Sequence, residues 1–307
     1  MNNASRVGES NPHQDMAGFD LPVARPLSSR GMIHYDCERE YARYPDDVLV
    51  KSYAQFGLHR YNLLEGTAWK FFSLKSFNLR ANGGAAPYYI TLVACDPTSN
   101  VHQIFQTLVC EEDLGVLDLS CDIARPLGSN KEPPPLCQAI YEGRLPLPQW
   151  PSEITDSQRF YLMNASELQN TDWIRLYLNL AHCTYNRDMT EHQLSKFDIV
   201  EVAIESLTDM ERPRLDSTNV IIYIAYKDLA KAQFGKPCDR KVIIRRVFNE
   251  SSRSLSLQGK HWRLSEKKKK KKKKRYAMLK RRLGVYQTWR LRLHTYNKCG
   301  FRSSHSR

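Results

Sequence analysis

"DDVLVKSYAQFGLHRYNLLEG", residues 46–66, decides the fold. Leu49, Tyr53, Phe56 and Leu64 recur at helical spacing, with Tyr61 beside them, and give one apolar face. Asp46 is placed to cap the helix, Asp47 suits its positive first turn, and Gly66 marks its end. Gly57, inside the helix, costs about 1 kcal/mol relative to alanine. Its presence therefore predicts close packing against a sheet at that point.

Reading outward, four strand-like runs follow, at residues 71–80, 88–95, 102–111 and 116–123. "NGG" at 82–84 and "DPTSN" at 96–100 supply turns. In the fourth run Leu117, Leu119, Cys121 and Ile123 face one way and Val116, Asp118, Ser120 and Asp122 the other, which predicts a polar outer face. Residues 125–151, "RPLGSNKEPPPLCQAIYEGRLPLPQWP", are the most proline-dense stretch and interrupt regular structure. A similar series then starts again. "RFYLM" (159–163) leads into a helix over 172–183, in which Trp173, Leu176, Tyr177 and Leu180 share a face, and strands are expected at 197–205, 220–226, 241–248 and 255–262.

"YYITLVACD" (88–96) aligns in apolar pattern with "VIIYIAYKD" (220–228), and "IFQTLVCEE" (104–112) with "VIIRRVFNE" (242–250). The expectation is an α+β fold in which a helix packs on an antiparallel sheet, in duplicate. The alternative is two unrelated segments that share only the generic pattern of antiparallel strands. The corresponding division is a disordered N-terminal segment (1–34), a first helix-plus-sheet unit (35–126), a Pro-rich linker (127–157), a second unit (158–262) and a Lys/Arg-rich tail (263–307).

Charge is divided unevenly along the chain. Of 46 Lys+Arg and 33 Asp+Glu, 19 and one respectively lie in residues 260–307, leaving 27 and 32 in residues 1–259, a net of −5. The basic isoelectric point therefore belongs to the tail rather than to the body. The tail's centre is Lys267, Lys268, Lys269, Lys270, Lys271, Lys272, Lys273 and Lys274, followed by Arg275, Lys280, Arg281 and Arg282. Such a run cannot bury a core. It fits nuclear localisation or non-specific binding of nucleic acid or an acidic surface. It also fits translated A-rich noncoding sequence. If the tail is genuine, nuclear placement is favoured over cytoplasmic.

At 41% hydrophobic and 10% aromatic residues, the chain is globular rather than disordered. No apolar run approaches a membrane span, since "VIIYIAY" (220–226) is only strand length. The N-terminus lacks the apolar core of a secretory signal, so an intracellular location and reduced thiols are expected. The eight cysteines show no metal-ligand spacing, and no cofactor or metal is expected. The Asn-x-Ser/Thr triplets at Asn3, Asn164 and Asn249 are then chance matches.

Motifs of nucleophilic or nucleotide chemistry are missing from the sequence. His182 and Cys183 are helix neighbours pointing about 100° apart, which reads as a packed thiol beside a surface histidine. The carboxylate clusters at Asp46-Asp47, Glu111-Glu112-Asp113 and Glu201/Glu205 show no partner that would shift a pKa. The tryptophans lack the interleaved Lys/Arg of a base-stacking surface. No catalytic residue is expected.

"REYARYPDDVLVKSYAQFGLHRYNLLEGT" (39–67), "LDLSCDIARP" (117–126), "SELQNTDWIRLYLNLA" (166–181) and "LSKFDIVEVAIES" (194–206) together resemble a plant-specific family, the uncharacterised protein family 0725 or domain of unknown function 626. Its relatives include embryo-defective and male-sterility-five proteins. The resemblance spans roughly residues 30–262 and stops before the lysine run. The chain departs from the family's polar pattern at "AWKFF" (68–72), just after the helix. The resemblance implies a cystatin-related fold, no catalytic residues, and a protein-interaction role with an unknown protein partner in embryo or reproductive development. Cystatins inhibit cysteine proteases through a Q-x-V-x-G loop. That loop is missing here, so inhibition stands as an alternative by fold analogy only.

Overall fold

The structure is a computed structural model that describes residues 18–19, 32–39, 44–80, 85–129, 146–207 and 212–262. The basic tail, the "NGG" turn, Asn3 and most of the N-terminal segment and Pro-rich linker lie outside the described residues.

Ten strands form one antiparallel sheet. Strand β1 (Met32–Asp36) is followed by helix α1 (Asp47–Glu65) and by β2 (Lys70–Arg80), β3 (Pro87–Cys95), β4 (His102–Glu111) and β5 (Leu117–Pro126). Next come β6 (Phe160–Leu162), short α2 (Ala165–Asn170), α3 (Asp172–Tyr185), one-turn α4 (Glu191–Leu194), β7 (Phe197–Ser206), β8 (Val220–Asp228), one-turn α5 (Leu229–Ala232), β9 (Asp239–Asn249) and β10 (Ser254–Trp262). The spatial order is β1-β2-β3-β4-β5-β10-β9-β8-β7-β6. Five residue pairs, from Leu117↔Gly259 to Cys121↔Leu255, join β5 to β10 and make the sheet continuous.

Strand alternation puts Tyr88, Ile90, Leu92 and Ala94 of β3 on the buried face. On that face α1 and α3 pack against each other and against the sheet. The shared core includes Leu49, Tyr53 and Phe56 of α1, Tyr177 and Leu180 of α3, and strand residues from both halves. Helix α3 is buried on more than the single face read from its spacing. Ile174, Leu178, Ala181 and Cys183 are also covered, because the helix packs against α1 on one side and the sheet on another. The opposite sheet face carries a smaller cluster of Phe160, Ala203, Ile221, Tyr223 and Ile243, with Leu147, Trp150, Ile154 and Trp262 packed on it. Residues 146–154 of the Pro-rich linker thus cover apolar sheet surface.

Gly57 behaves as expected. A Cβ built there would lie 2.5 Å from Thr107 Cβ on β4. Gly57→Ala gains about 1 kcal/mol of helix propensity but overpacks the α1–β4 contact, which costs typically 1–3 kcal/mol. The net expectation is destabilisation by about 1 kcal/mol, read as a lower urea midpoint at unchanged slope. A more stable variant would show that α1 shifts freely on the sheet.

Gly66 ends α1 in the left-handed region (φ 64°), donating its N–H to Asn62 O. The "AWKFF" departure is accommodated by Asn62. Its Oδ1 accepts from Trp69 N (3.0 Å) and Thr67 Oγ1 (2.8 Å), and its Nδ2 donates to Trp69 O (2.8 Å). Trp69 itself packs edge-on against Phe105.

Three expectations need correction. Residues 32–34 do not belong to a disordered segment, because they open β1 and pair with β2. Asp46 does sit at the helix start but makes no side-chain cap, since its own backbone is left-handed (φ 59°). The outer face of β5 is not solvated, because Ser120 and Asp122 are buried. The strand lies inside the sheet between β4 and β10, and a bulge opposite Leu108/Val109 displaces Asp122. Short α2 and α4 add to the elements marked by periodicity, and both carry capping boxes. Asn164 accepts from Glu167 N (2.9 Å), and Thr190 Oγ1 accepts from Gln193 N (3.2 Å). Asn164 is therefore a helix cap. Asn249 Oδ1 accepts from the Ser251 N–H (3.0 Å) and the Ser252 N–H (3.2 Å) in a turn.

Candidate functional site

The strongest concentration of perturbed groups joins three separated segments. Glu111, the last residue of β4, continues the inward alternation of Phe105, Thr107 and Val109 and is buried. Tyr53 of α1 donates to its Oε1 (2.5 Å). Arg187, in the turn after α3, donates to the same oxygen. Arg187 also reaches Tyr88 Oη (2.9 Å) and Asp46 Oδ2 (3.2 Å). The left-handed Asp46 is thus spent on Arg187 rather than on capping α1.

Burial pushes the Glu111 carboxyl above its ordinary value, although Arg187 and Tyr53 both pull it down. Burial would lower Arg187, but Tyr88, Glu111, Tyr53 and Asp46 more than reverse that and hold it charged. The Arg187 guanidinium stays charged throughout and faces the carboxylates of Glu111 and Asp46. Tyr53 and Tyr88 are both raised, first by burial and then by Glu111, so each hydroxyl keeps its proton. The reading that these carboxylates lack a pKa-shifting partner is therefore corrected for Glu111. The partner is 76 residues away in sequence.

Two adjoining depressions of about 560 and 550 Å³ lie beside this network and share Val48, Lys51 and Glu191. Their cation is already engaged, since Lys51 bridges Asp47 (3.2 Å) and Glu191 (3.1 Å). With Arg187 and Lys51 neutralised and both tyrosines protonated, the arrangement holds segments together and presents no activated nucleophile or base. Among the described residues, no group of three or more His, Cys, Asp or Glu is arranged to hold a metal.

His182 is also corrected. It is half-buried, stacked on Phe197 (3.9 Å between centroids, 19°), with Nε2 2.9 Å from Tyr226 Oη. That hydroxyl also lies 3.5 Å from His261 Nδ1, and His261 Nε2 donates to Ala181 O (3.1 Å). Burial, with His261 and Lys231 nearby, pulls His182 down to about 2. Cys183 points elsewhere, into the core, where burial pushes its thiol up to about 12.

Cations do meet the tryptophans, as packing contacts within the fold. Lys241 lies over Trp150 (4.4 Å) and Lys260 over Trp262 (5.8 Å). The fully buried Arg246 lies over Trp173 (4.5 Å) and donates to the Ser217 and Thr218 carbonyls. These cations fasten covering segments to the sheet. Lys260 donates to Leu147 O (2.9 Å) and Arg245 to Pro146 O (3.0 Å). The tail residues Lys267 to Lys274, Arg275, Lys280, Arg281 and Arg282 lie outside the described residues.

Against known proteins, the family model "Protein MS5" matches residues 147–257. The Arabidopsis thaliana UPF0725 protein EMB2204 is 44% identical over 94% of both chains. The chain belongs to the UPF0725 family. A second Arabidopsis UPF0725 protein, At1g02770, is 40% identical over 83% of this chain and 80% of its own. The crystal structure of MS5 from Brassica napus matches with a TM-score of 0.57 at 31% identity, covering 72% of this chain and 99% of that one. The resemblance read from the sequence and the α+β class with a large antiparallel sheet both stand on these matches. The Arg187–Glu111 network lies partly outside the 147–257 match, in the first half of this UPF0725 chain.

Proposed function

We propose that this UPF0725 protein is a non-catalytic protein-interaction module of plant embryo or reproductive development, built from two cystatin-like units that share one sheet. The observation that carries this reading is the use made of the perturbed groups. Arg187, Glu111, Tyr53 and Tyr88 are all consumed in joining α1, β4 and the turn after α3. With the short α2, α4 and α5 set aside, the duplicated-unit reading is supported by the order strand, long helix, four strands in each half and by the mirrored strand order about the β5–β10 seam. The developmental role rests on the family resemblance and on the printed names of EMB2204 and MS5. A substrate screen that found turnover abolished by Glu111→Gln, with the fold intact by circular dichroism, would overturn the module reading.

The strand–helix–strands order also favours a second reading, inhibition of a papain-like protease. A direct assay separates the two, since tight stoichiometric inhibition is expected only of an inhibitor. For the tail, the proposal is nuclear placement and non-specific polyanion binding. Each phosphate neutralised contributes about −0.9 to the slope of log K against log salt on duplex DNA. The full chain should show a steep slope. The compact body ending at Trp262 should show essentially none. Tight duplex binding by that body would refute the division of charge.

A further inference from the structure

The β8–β9 connection projects a hydrophobic apex that the core does not use. Residues 231–237, "KAQFGKP", are exposed without a break. Phe234 is 76% exposed and Leu229 38%. Their display is built into the backbone. Asp228 caps the one-turn α5 by accepting from Lys231 N (3.2 Å). Gly235 takes the left-handed conformation (φ 63°) that ends the turn, and Lys236 N donates back to Lys231 O (3.1 Å). The equivalent β3–β4 connection, "DPTSN", is a polar turn closed by Asp96, which accepts from Thr98 N and Ser99 Oγ. Phe234 is therefore an addition to what a hairpin requires.

Five cations surround the apex: Lys196, Lys227, Lys231, Lys236 and Arg240. Three carboxylates oppose them. Asp198 and Asp239 lie across the sheet from Lys227, and Asp228 pairs with Lys231. The balance is positive on a body whose residues 1–259 are net −5. Lys236 Nζ lies 5.9 Å from the Phe234 ring, so its stem flanks the aromatic while its charge stays in water.

We propose that this apex is a peripheral docking point for an anionic lipid surface, with Phe234 and Leu229 entering the headgroup–acyl boundary and the cations lying at phosphate level. Shape favours lipid over a peptide or nucleic acid. The two depressions lie elsewhere, among α1, β2 and the 187–194 segment. The apex is convex and offers no groove to an extended chain. A fluid surface needs only one inserted apolar group and nearby cations, each of which contributes about 1 kcal/mol close to anionic lipid.

The basic tail would itself bring the full chain to anionic vesicles, so bulk sedimentation cannot report on the apex. A local probe can. Full-length Phe234→Trp is compared with wild type in phosphatidylcholine vesicles with and without phosphatidylserine, using brominated acyl chains as quencher. The expected result is a blue shift and bromine quenching of the added tryptophan only when phosphatidylserine is present. Quenching should be lost when Lys231→Glu and Lys236→Glu are added, with the circular dichroism spectrum unchanged. The proposal is overturned if the added tryptophan stays unquenched while the protein co-sediments with the vesicles. It is equally overturned if quenching survives both charge reversals, or if the tryptophan responds to single-stranded oligonucleotide and not to vesicles.

Discussion

Replacing Arg187 by methionine is expected to cost about 3–5 kcal/mol, because it leaves Glu111 buried without its cation. The Glu111 side chain is only 4% exposed, against 16% for Arg187, and Glu111 Oε2 is already buried without a partner. The remaining donor, Tyr53, satisfies Oε1 only. Pairing Arg187→Met with Glu111→Leu removes both charges and should recover most of the loss, since hydrophobic replacement of a buried pair is often neutral or better. The double-mutant cycle, read by urea unfolding, therefore decides whether the network is a net stabiliser or a device for setting the position of the turn after α3. If Arg187→Met alone costs less than about 1 kcal/mol, the pair behaves like a surface salt bridge and the assignment of a buried lock is wrong.

The second large effect is expected on acidification. His59 is held down to about 3 by burial and by Arg246, and His182 to about 2 by burial with His261 and Lys231. Both are neutral in the folded protein, whereas the unfolded chain takes up a proton at each near pH 6.5. Their contribution is thus present in full above pH 6.5 and is lost progressively as pH falls from 6.5 toward 3. By pH 5 the two together should have removed about 4 kcal/mol, a large part of the 5–15 kcal/mol typical of a domain. Glu111, raised by burial, acts in the opposite sense. The histidines are therefore best isolated by comparing variants. His182→Asn should roughly halve the fall in unfolding free energy between pH 6.5 and 5, in urea titrations at fixed ionic strength. A wild-type stability flat over that interval would mean that these imidazoles open to water and protonate in place.

Much of the local structure was legible because it depends on short-range chemistry. The capping boxes Asn164–Glu167 and Thr190–Gln193 are present as sequence patterns, although the first also reads as a glycosylation triplet and the second has no apolar run after it to mark a helix. Glu111 could also have been found. It occupies an inward position of an alternating strand, as Arg246 does after Val242 and Ile244, and a charge on the buried face of a strand implies a partner. Arg187 carried no such signal. It sits in a polar turn, and nothing within a few residues distinguishes it from the exposed arginines elsewhere in the chain.

Taken alone, the sequence determined the periodicities of α1, α3 and the strands, the glycine needed where α1 meets β4, the turn at residues 96–100, the concentration of positive charge beyond Lys260 and membership of a family. Each of these follows from backbone geometry, side-chain alternation or direct comparison. Only the tertiary structure decided that β5 pairs with β10, that the polar face of β5 is buried, that His182 meets Tyr226 and His261, and that Glu111 receives Arg187 across 76 residues. These depend on which surfaces meet when α1 and α3 settle together on one sheet. Such long-range encounters are selected by the summed burial of many side chains, and no local pattern encodes them.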